Sequence, residues 1–193
     1  MRLKQTCVLL IGSFVMSSML PAQQTSSSAA PLAAPPPATK LEGFKPGART
    51  LVTLGYDELV APGMFSGVSL DVREMRSAAG GVVRGLVAEV RESQYRTERA
   101  FVDADELPEL LRGITALLDV KANPTVFKDF EVRYRTRGEL EVSAYSSGGK
   151  IRYAISAGRV VRASRLDLSA HEIEALRSSI EQAQSRLASL PEK

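Results

Sequence analysis

Residues 130–166 read FEVRYRTRGELEVSAYSSGGKIRYAISAGRVVRASRL, and apolar and polar residues alternate along almost the whole stretch. The alternation breaks at three glycine-containing turns, which are Arg137-Gly138, Ser147-Gly148-Gly149 and Ala157-Gly158. A period of two predicts strands with one packed face and one exposed face. Because the turns separate four such strands, the stretch predicts a four-stranded antiparallel sheet.

A helix is predicted directly after this sheet. Ser169 and Glu172 have the spacing of a capping box, in which each side chain bonds the other residue's backbone N–H. Apolar residues then recur every three or four positions, which predicts an amphipathic helix. We expect its apolar stripe to cover the packed face of the four-stranded sheet. The stripe consists of Ile173, Leu176, Ile180, Ala183 and Leu187.

The preceding part of the chain shows the same order of elements. Residues 68–75, 82–91 and 98–102 predict a three-stranded meander, and residues 51–59 are a candidate fourth strand. Leucines at helical spacing then predict a helix. Its cap is Asp103, with Glu106 completing a capping box, or Asp105, and Asp105 is preferred because Pro108 then falls in the first turn. The predicted fold class is therefore α+β, with two antiparallel β-meanders of three to four strands, each followed by one amphipathic α-helix.

The N-terminus has the pattern of a secretory signal peptide. Arg2 and Lys4 precede an uncharged apolar run over residues 8–20, and Pro21-Ala22 follows it. We therefore predict a signal peptide over residues 1–22, with a cut near Ala29 or Ala30 as the alternative. The apolar run is shorter than the roughly 20 residues that a bilayer core requires, which disfavours a permanent membrane anchor.

Residues 23–47 are predicted to form a disordered spacer, because alanine, proline and serine bury too little apolar surface to offset chain entropy. A single domain is then expected over residues 48–190. The only cysteine, Cys7, lies in the predicted signal peptide, so the mature chain has no disulfide. These features predict a soluble protein exported to the periplasm or the extracellular space, with no membrane span after signal cleavage.

The sequence shows no catalytic constellation. His171 is the only histidine, whereas metal sites and nucleophile–base pairs draw on several histidines or cysteines. Gly148-Gly149-Lys150 lacks the earlier glycine and the following hydroxyl residue of a phosphate loop. We predict no catalytic, metal-binding or cofactor-binding residue and no cofactor. The acidic residues Asp103, Asp105 and Glu106 are interpreted as helix-start residues, which the helix dipole favours.

Charge is the remaining functional signal. The chain has 25 lysines and arginines against 22 acids, and removal of the predicted signal takes away two basic residues, which leaves a net charge of +1. Residues 130–166 nevertheless carry eight basic and three acidic side chains. A basic sheet face of this kind is a candidate polyanion-binding surface. The alternative is a solvated face on which Glu139 and Glu141 oppose arginines of neighbouring strands. The candidate binding residues are Arg133, Arg135, Arg152, Arg159 and Arg162.

Three functions follow from these features. The first is an exported, non-catalytic binding or structural domain of the bacterial cell envelope, whose partner is an envelope protein or an acidic polymer. The second is binding of nucleic acid, acidic glycan or anionic lipid by the basic sheet. The order of elements resembles in outline the Whirly and PUR folds, which implies single-stranded nucleic-acid binding, although export disfavours it. The third is a small enzyme that uses carboxylates such as Asp71, Glu74 or Glu89.

Overall fold

The computed structural model describes residues 36–59, 67–121, 123–159 and 163–191. The predicted signal peptide and residues 23–35 of the predicted spacer lie outside the described residues. The predicted fold class is confirmed: the described chain has an α+β fold with two four-stranded antiparallel sheets, each followed by a helix.

A four-residue helix, α1 (Lys40–Gly43), comes before the first sheet and packs on it. Thr39 caps this helix, because its Oγ1 accepts a hydrogen bond from the Glu42 N–H at 3.0 Å. Leu41 has only 2% of its surface exposed. The packed part of the chain therefore begins by Thr39, earlier than the predicted boundary at residue 48. Leu41 supplies an apolar anchor within a segment whose overall composition is that of a spacer.

The first sheet, sheet A, is a meander with the strand order β1-β2-β3-β4. The candidate fourth strand is present as β1, and it forms one edge of the sheet. Val68, Leu70 and Val72 point into the core, and the polar residues between them are partly exposed, as the alternation predicts. The strands are β1 (Val52–Glu58), β2 (Val68–Ser77), β3 (Val82–Ser93) and β4 (Arg96–Asp103).

A 3₁₀ turn (Ala104–Glu106) leads from sheet A into α2 (Leu107–Leu118). The predicted helical spacing is confirmed, since the leucines and the isoleucine that recur along one side are buried. The predicted cap is wrong, because neither Asp103 nor Asp105 bonds the first N–H groups of the helix. Their carboxylates bind basic side chains and more distant backbone N–H groups, which satisfy them better than a cap would.

The second sheet, sheet B, contains β5 (Glu131–Arg135), β6 (Leu140–Ser147), β7 (Lys150–Ala157) and β8 (Ser164–Leu168), in that order. The helix α3 (Ala170–Ala188) follows. Its predicted capping box is present, because Ser169 Oγ accepts from the Glu172 N–H at 3.2 Å and the Glu172 carboxylate accepts from the Ser169 N–H at 2.7 Å. All five residues of the predicted apolar stripe are buried.

Each helix packs partly on the sheet of the other half. The α2 helix packs on β5 and β6, whereas α3 contacts β2 and β3 as well as β7 and β8. A Cβ atom on Gly113 of α2 would lie 2.4 Å from the ring of Tyr134 on β5, so glycine allows this helix to approach sheet B closely. The sheets also contact each other through β3 and β4, which creates one hydrophobic core shared by both halves.

Candidate functional site

Four of the five candidate arginines lie in the described residues, on or beside the outer face of sheet B, which is the face turned away from the core. The cross-strand register places Arg133 and Arg135 of β5 on this face together with Arg152 of β7. Arg159 follows β7 and is exposed. Arg162 lies outside the described residues.

Acidic side chains share this face with the arginines. Arg133 binds Glu131 and has its guanidinium 3.9 Å from the Glu141 carboxylate. Partial burial by itself would raise the pKa of Glu131, but hydrogen bonds from Arg133 and Arg165 hold that pKa below the ordinary glutamate value. The Glu131 carboxylate is therefore charged at neutral pH and neutralises part of the basic surface.

Arg135 is neutralised in the same way, because it binds Glu139 in the turn that follows β5. Glu139 and Glu141, the two acids that the sequence places opposite arginines, thus both contact arginines of β5. Among the described residues, neither Arg152 nor Arg159 forms an ion pair. The positive charges without an ion-pair partner are therefore at the two ends of β7, Arg152 at its start and Arg159 just after it.

Arg165 of β8 reaches across the outer face from the opposite edge of sheet B. Its guanidinium lies 3.3 Å from the Glu131 carboxylate on β5 and 5.2 Å from the centre of the Tyr145 ring. The distance from Arg165 to the Tyr145 ring is that of a cation–π contact. The outer-face residues on the two strands between these partners are small and buried, which leaves room for the long arginine side chain. They are Ser143 and Ala154.

A cavity of about 250 Å³ opens on the same face. Arg133, Arg135 and Arg165 line it together with Glu141 and Ser156. An anion that enters this cavity must displace the carboxylates that already bind the arginines. Charge-assisted hydrogen bonds of this kind are the strong class, so displacement lowers the net affinity for the anion.

The three carboxylates considered for catalysis do not share one face. Asp71 and Glu89 lie on the outer face of sheet A, whereas Glu74 lies on its inner face. Arginine hydrogen bonds hold the pKa of Glu74 and Glu89 below the ordinary glutamate value. A carboxylic acid that donates a proton near neutral pH needs the opposite shift. The ion pairs are Asp71–Arg73 at 2.9 Å, Glu74–Arg84 at 2.7 Å and Glu89–Arg99 at 2.9 Å.

The acidic residues after β4 connect three separate parts of the chain. Asp103 is 1% exposed, and its carboxylate accepts hydrogen bonds from the N–H groups of residues 40 and 41 at 2.9 and 3.1 Å. Glu106 accepts a hydrogen bond from the Arg137 N–H in the β5–β6 turn at 2.8 Å. Asp105 binds the Lys40 ammonium at 2.8 Å. This acidic junction, Asp103, Asp105 and Glu106, therefore holds α1 and sheet B against the end of sheet A.

His171 and the Gly148-Gly149 pair occupy the positions that the sequence predicts for them, at a helix start and in a hairpin turn. His171 is exposed in the first turn of α3, as predicted. Gly148 and Gly149 have φ values of 60° and 75°, which are the left-handed values of a type I′ hairpin turn. Within the described ranges, no three His, Cys, Asp or Glu side chains are grouped so that they could hold a metal ion.

The free edge of sheet A carries an apolar row that the sequence patterns did not single out. Leu54 and Tyr56 of β1 lie on the outer face with 61% and 78% of their surface exposed, and Leu51 before them is 74% exposed. Met75 and Val83 continue the row on β2 and β3 and are half-buried. The alternation of β1 is visible in the sequence, but its place at an edge depends on tertiary packing.

Comparison of the chain with protein-family models, curated proteins and solved structures found no match. No helix within the described ranges has both the length and the apolar character needed to cross a bilayer. Two surfaces of the described chain are therefore the candidate functional sites. They are the outer face of sheet B, with its paired arginines, and the apolar edge of sheet A at β1.

Proposed function

We propose that this chain is an exported, non-catalytic domain of the bacterial cell envelope that binds another polypeptide through strand β1. The observation that carries this proposal is the pair of exposed apolar side chains, Leu54 and Tyr56, on one face of an open sheet edge, with the exposed Leu51 just before the strand. An edge strand presents unpaired N–H and C=O groups, and an extended segment of another chain can add to them as a further strand. Apolar side chains beside those groups provide contact area for the added strand.

The other parts of the proposal have separate support. The signal-peptide pattern of residues 1–22 supports export. The proline-rich spacer predicted after it would hold the domain at a distance from an envelope surface. The described ionisable side chains support a non-catalytic role. Asp71, Glu74 and Glu89 bind arginines, and the acidic junction binds α1 and the β5–β6 turn.

The double substitution Leu54→Ser and Tyr56→Ser is expected to abolish capture of the partner. The immobilised chain should retain a polypeptide from a solubilised envelope fraction, and the double variant should retain at least about tenfold less, which corresponds to about 1.4 kcal/mol of lost apolar contact. Quantitative mass spectrometry of the eluted proteins measures this difference.

A matched control makes the same chemical change elsewhere. Val126 and Phe127 are 96% and 73% exposed in the segment before β5. Their replacement by serine should leave capture unchanged, because these side chains do not lie on a sheet edge. Equal capture by the native chain and by the Leu54 and Tyr56 variant contradicts the proposal.

A second candidate function is polyanion binding by sheet B. The cavity lined by Arg133, Arg135 and Arg165 favours it, and Arg152 adds a charge without an ion-pair partner among the described residues. The carboxylates on the same face weaken this candidate, because they already neutralise Arg133 and Arg135.

Charge reversal tests this second candidate. If sheet B grips a polyanion, the native chain should be retained on heparin at about 150 mM salt, since each neutralised anionic group releases a counterion. The triple change of Arg133, Arg135 and Arg152 to glutamate should remove that retention. Elution of the native chain at low salt, before any gradient, would exclude polyanion binding by this face.

A further inference from the structure

We infer that the polypeptide which adds to β1 is a second copy of this chain, so that two copies of sheet A join edge to edge across a two-fold axis. The inference rests on the proposed role of β1 and names its partner. Among the described strands, β2 is the only hydrogen-bonded neighbour of β1. Within the described residues, the opposite side of β1 is therefore an edge of sheet A.

The free backbone groups of β1 belong to the same residues as its apolar side chains. The Ala78 N–H donates to the Leu51 carbonyl at 3.0 Å, and the Leu59 N–H donates to the Leu70 carbonyl at 2.9 Å. Bonded residues alternate along an antiparallel strand, so residues 52, 54, 56 and 58 direct their N–H and C=O groups away from β2. Residues 54 and 56 thus offer backbone hydrogen bonds and exposed apolar side chains together.

The other three sheet edges have protection that β1 lacks. The Phe101 N–H of β4 donates to the Gly138 carbonyl at 3.3 Å, so the β5–β6 turn covers part of that edge. The two edge strands of sheet B, β5 and β8, carry arginines. Charged side chains and prolines normally guard edge strands. β1 contains no lysine, arginine or proline, and its two acids, Asp57 and Glu58, stand only at its end, so residues 52–56 carry no charge.

The order of charges along this segment points to a second copy. Lys45 and Arg49 precede β1, and Asp57 and Glu58 end it, and all four residues are exposed. Arg186 of α3 binds the Asp57 carboxylate at 3.0 Å, so Glu58 is the acid of this end that has no ion-pair partner among the described residues. When two copies pair antiparallel, the basic start of each strand lies beside the acidic end of the other. A parallel pairing would instead place acid beside acid. The segment is therefore complementary in charge to a second, antiparallel copy of itself. A different polypeptide would need the same order of basic and acidic residues to fit equally well.

A specific register pairs the apolar row and avoids contacts between like charges. With the two-fold axis at Gly55, Leu54 of each copy lies opposite Tyr56 of the other. Thr53 then lies opposite Asp57, and no two like charges face each other. Aromatic–aliphatic pairs directly opposite in an antiparallel ladder stabilise the pairing, and the glycines at the axis leave space for the large side chains beside them.

Self-association measured on the purified chain tests this inference. Analytical ultracentrifugation should show a reversible rise in average mass, from one chain to two, as the concentration is increased. Replacing Leu54 and Tyr56 with lysine should raise the dimer dissociation constant at least about tenfold, because two apolar pairs are lost and like charges meet. The matched Val126→Lys and Phe127→Lys variant should associate like the native chain.

Charge reversal tests the two-fold arrangement itself. The variants Arg49→Glu and Glu58→Arg should each associate more weakly than the native chain, since each places two like charges within three residues of one another at both ends of the paired strands. An equimolar mixture of the two variants should recover native association, because opposite charges then meet at both ends. Foreign-strand binding would not produce this recovery.

Three outcomes would overturn the inference. They are a native chain that stays monomeric at high micromolar concentration, association that survives the Leu54 and Tyr56 change, and mixed charge variants that fail to recover association. The capture experiment keeps the proposed function separate. A monomeric chain that still loses a captured envelope polypeptide on the Leu54→Ser and Tyr56→Ser change would retain the binding role of β1 and exclude the second copy.

Discussion

Replacement of Ile155 with alanine is expected to lower the free energy of unfolding by about 4 kcal/mol, within the range seen when large aliphatic side chains are truncated in a core. Ile155 is fully buried on β7 and lies between Val142 and Leu166 in the ladder of sheet B. Because β7 also contacts β3 of sheet A, the cavity would open in the core that both halves share. Urea unfolding, with the midpoint and the slope fitted together, measures the change.

Arg152 of the same strand provides the control for this prediction. It is exposed on the outer face of sheet B, so Arg152→Ala should change the free energy of unfolding by no more than about 0.5 kcal/mol. A loss below about 1 kcal/mol for Ile155→Ala would show that the contact between the two sheets is not closely packed.

The second large effect is expected at the β5–β6 turn, where Gly138→Ala should destabilise the domain by about 3 kcal/mol. A Cβ atom at this position would lie 1.8 Å from the Phe101 carbonyl oxygen and 2.8 Å from Cγ2 of Thr39. The turn must therefore move away from β4, which breaks the Phe101–Gly138 backbone hydrogen bond and loosens the acidic junction. Hydrogen exchange of the Leu41 amide, which donates to Asp103, should accelerate together with the loss of stability.

Gly81→Ala is the matched control for the turn. A Cβ atom there would lie 3.7 Å from the Phe44 ring, which is an ordinary contact distance. Its effect should stay within about 0.5 kcal/mol. If both alanine variants unfold at the same denaturant concentration, the close contact between the β5–β6 turn and β4 does not contribute to stability.

The local elements of this fold could be predicted from the sequence because each has a short-range signal. The alternation in residues 130–166 corresponds to β5 to β8, and the Ser169–Glu172 capping box starts α3 where expected. These signals depend on the backbone period and on side chains within a few residues of each other, which the sequence presents directly.

Long-range relations could not be predicted in the same way. The cap assigned to Asp105 failed because residues 104–106 form a 3₁₀ turn before the helix, and the Asp105 carboxylate binds Lys40, 65 positions earlier. The contact between Arg165 of β8 and Glu131 of β5 depends on the order of all four strands of sheet B, and the exposure of Leu54 and Tyr56 depends on which strand is left at an edge. No local pattern distinguishes an edge strand from a central one when both alternate.

The packing of α3 also has a consequence for the order in which the molecule can form. This helix is the last described element of the chain, yet it contacts β2 and β3, which are synthesised about 80 residues earlier. Until α3 emerges from the ribosome, part of the apolar face of sheet A has nothing to cover it. Completion of the core therefore has to follow the synthesis of α3. The preceding strands therefore stay incompletely packed while they are synthesised, and their uncovered apolar surface is prone to aggregation until α3 packs on it.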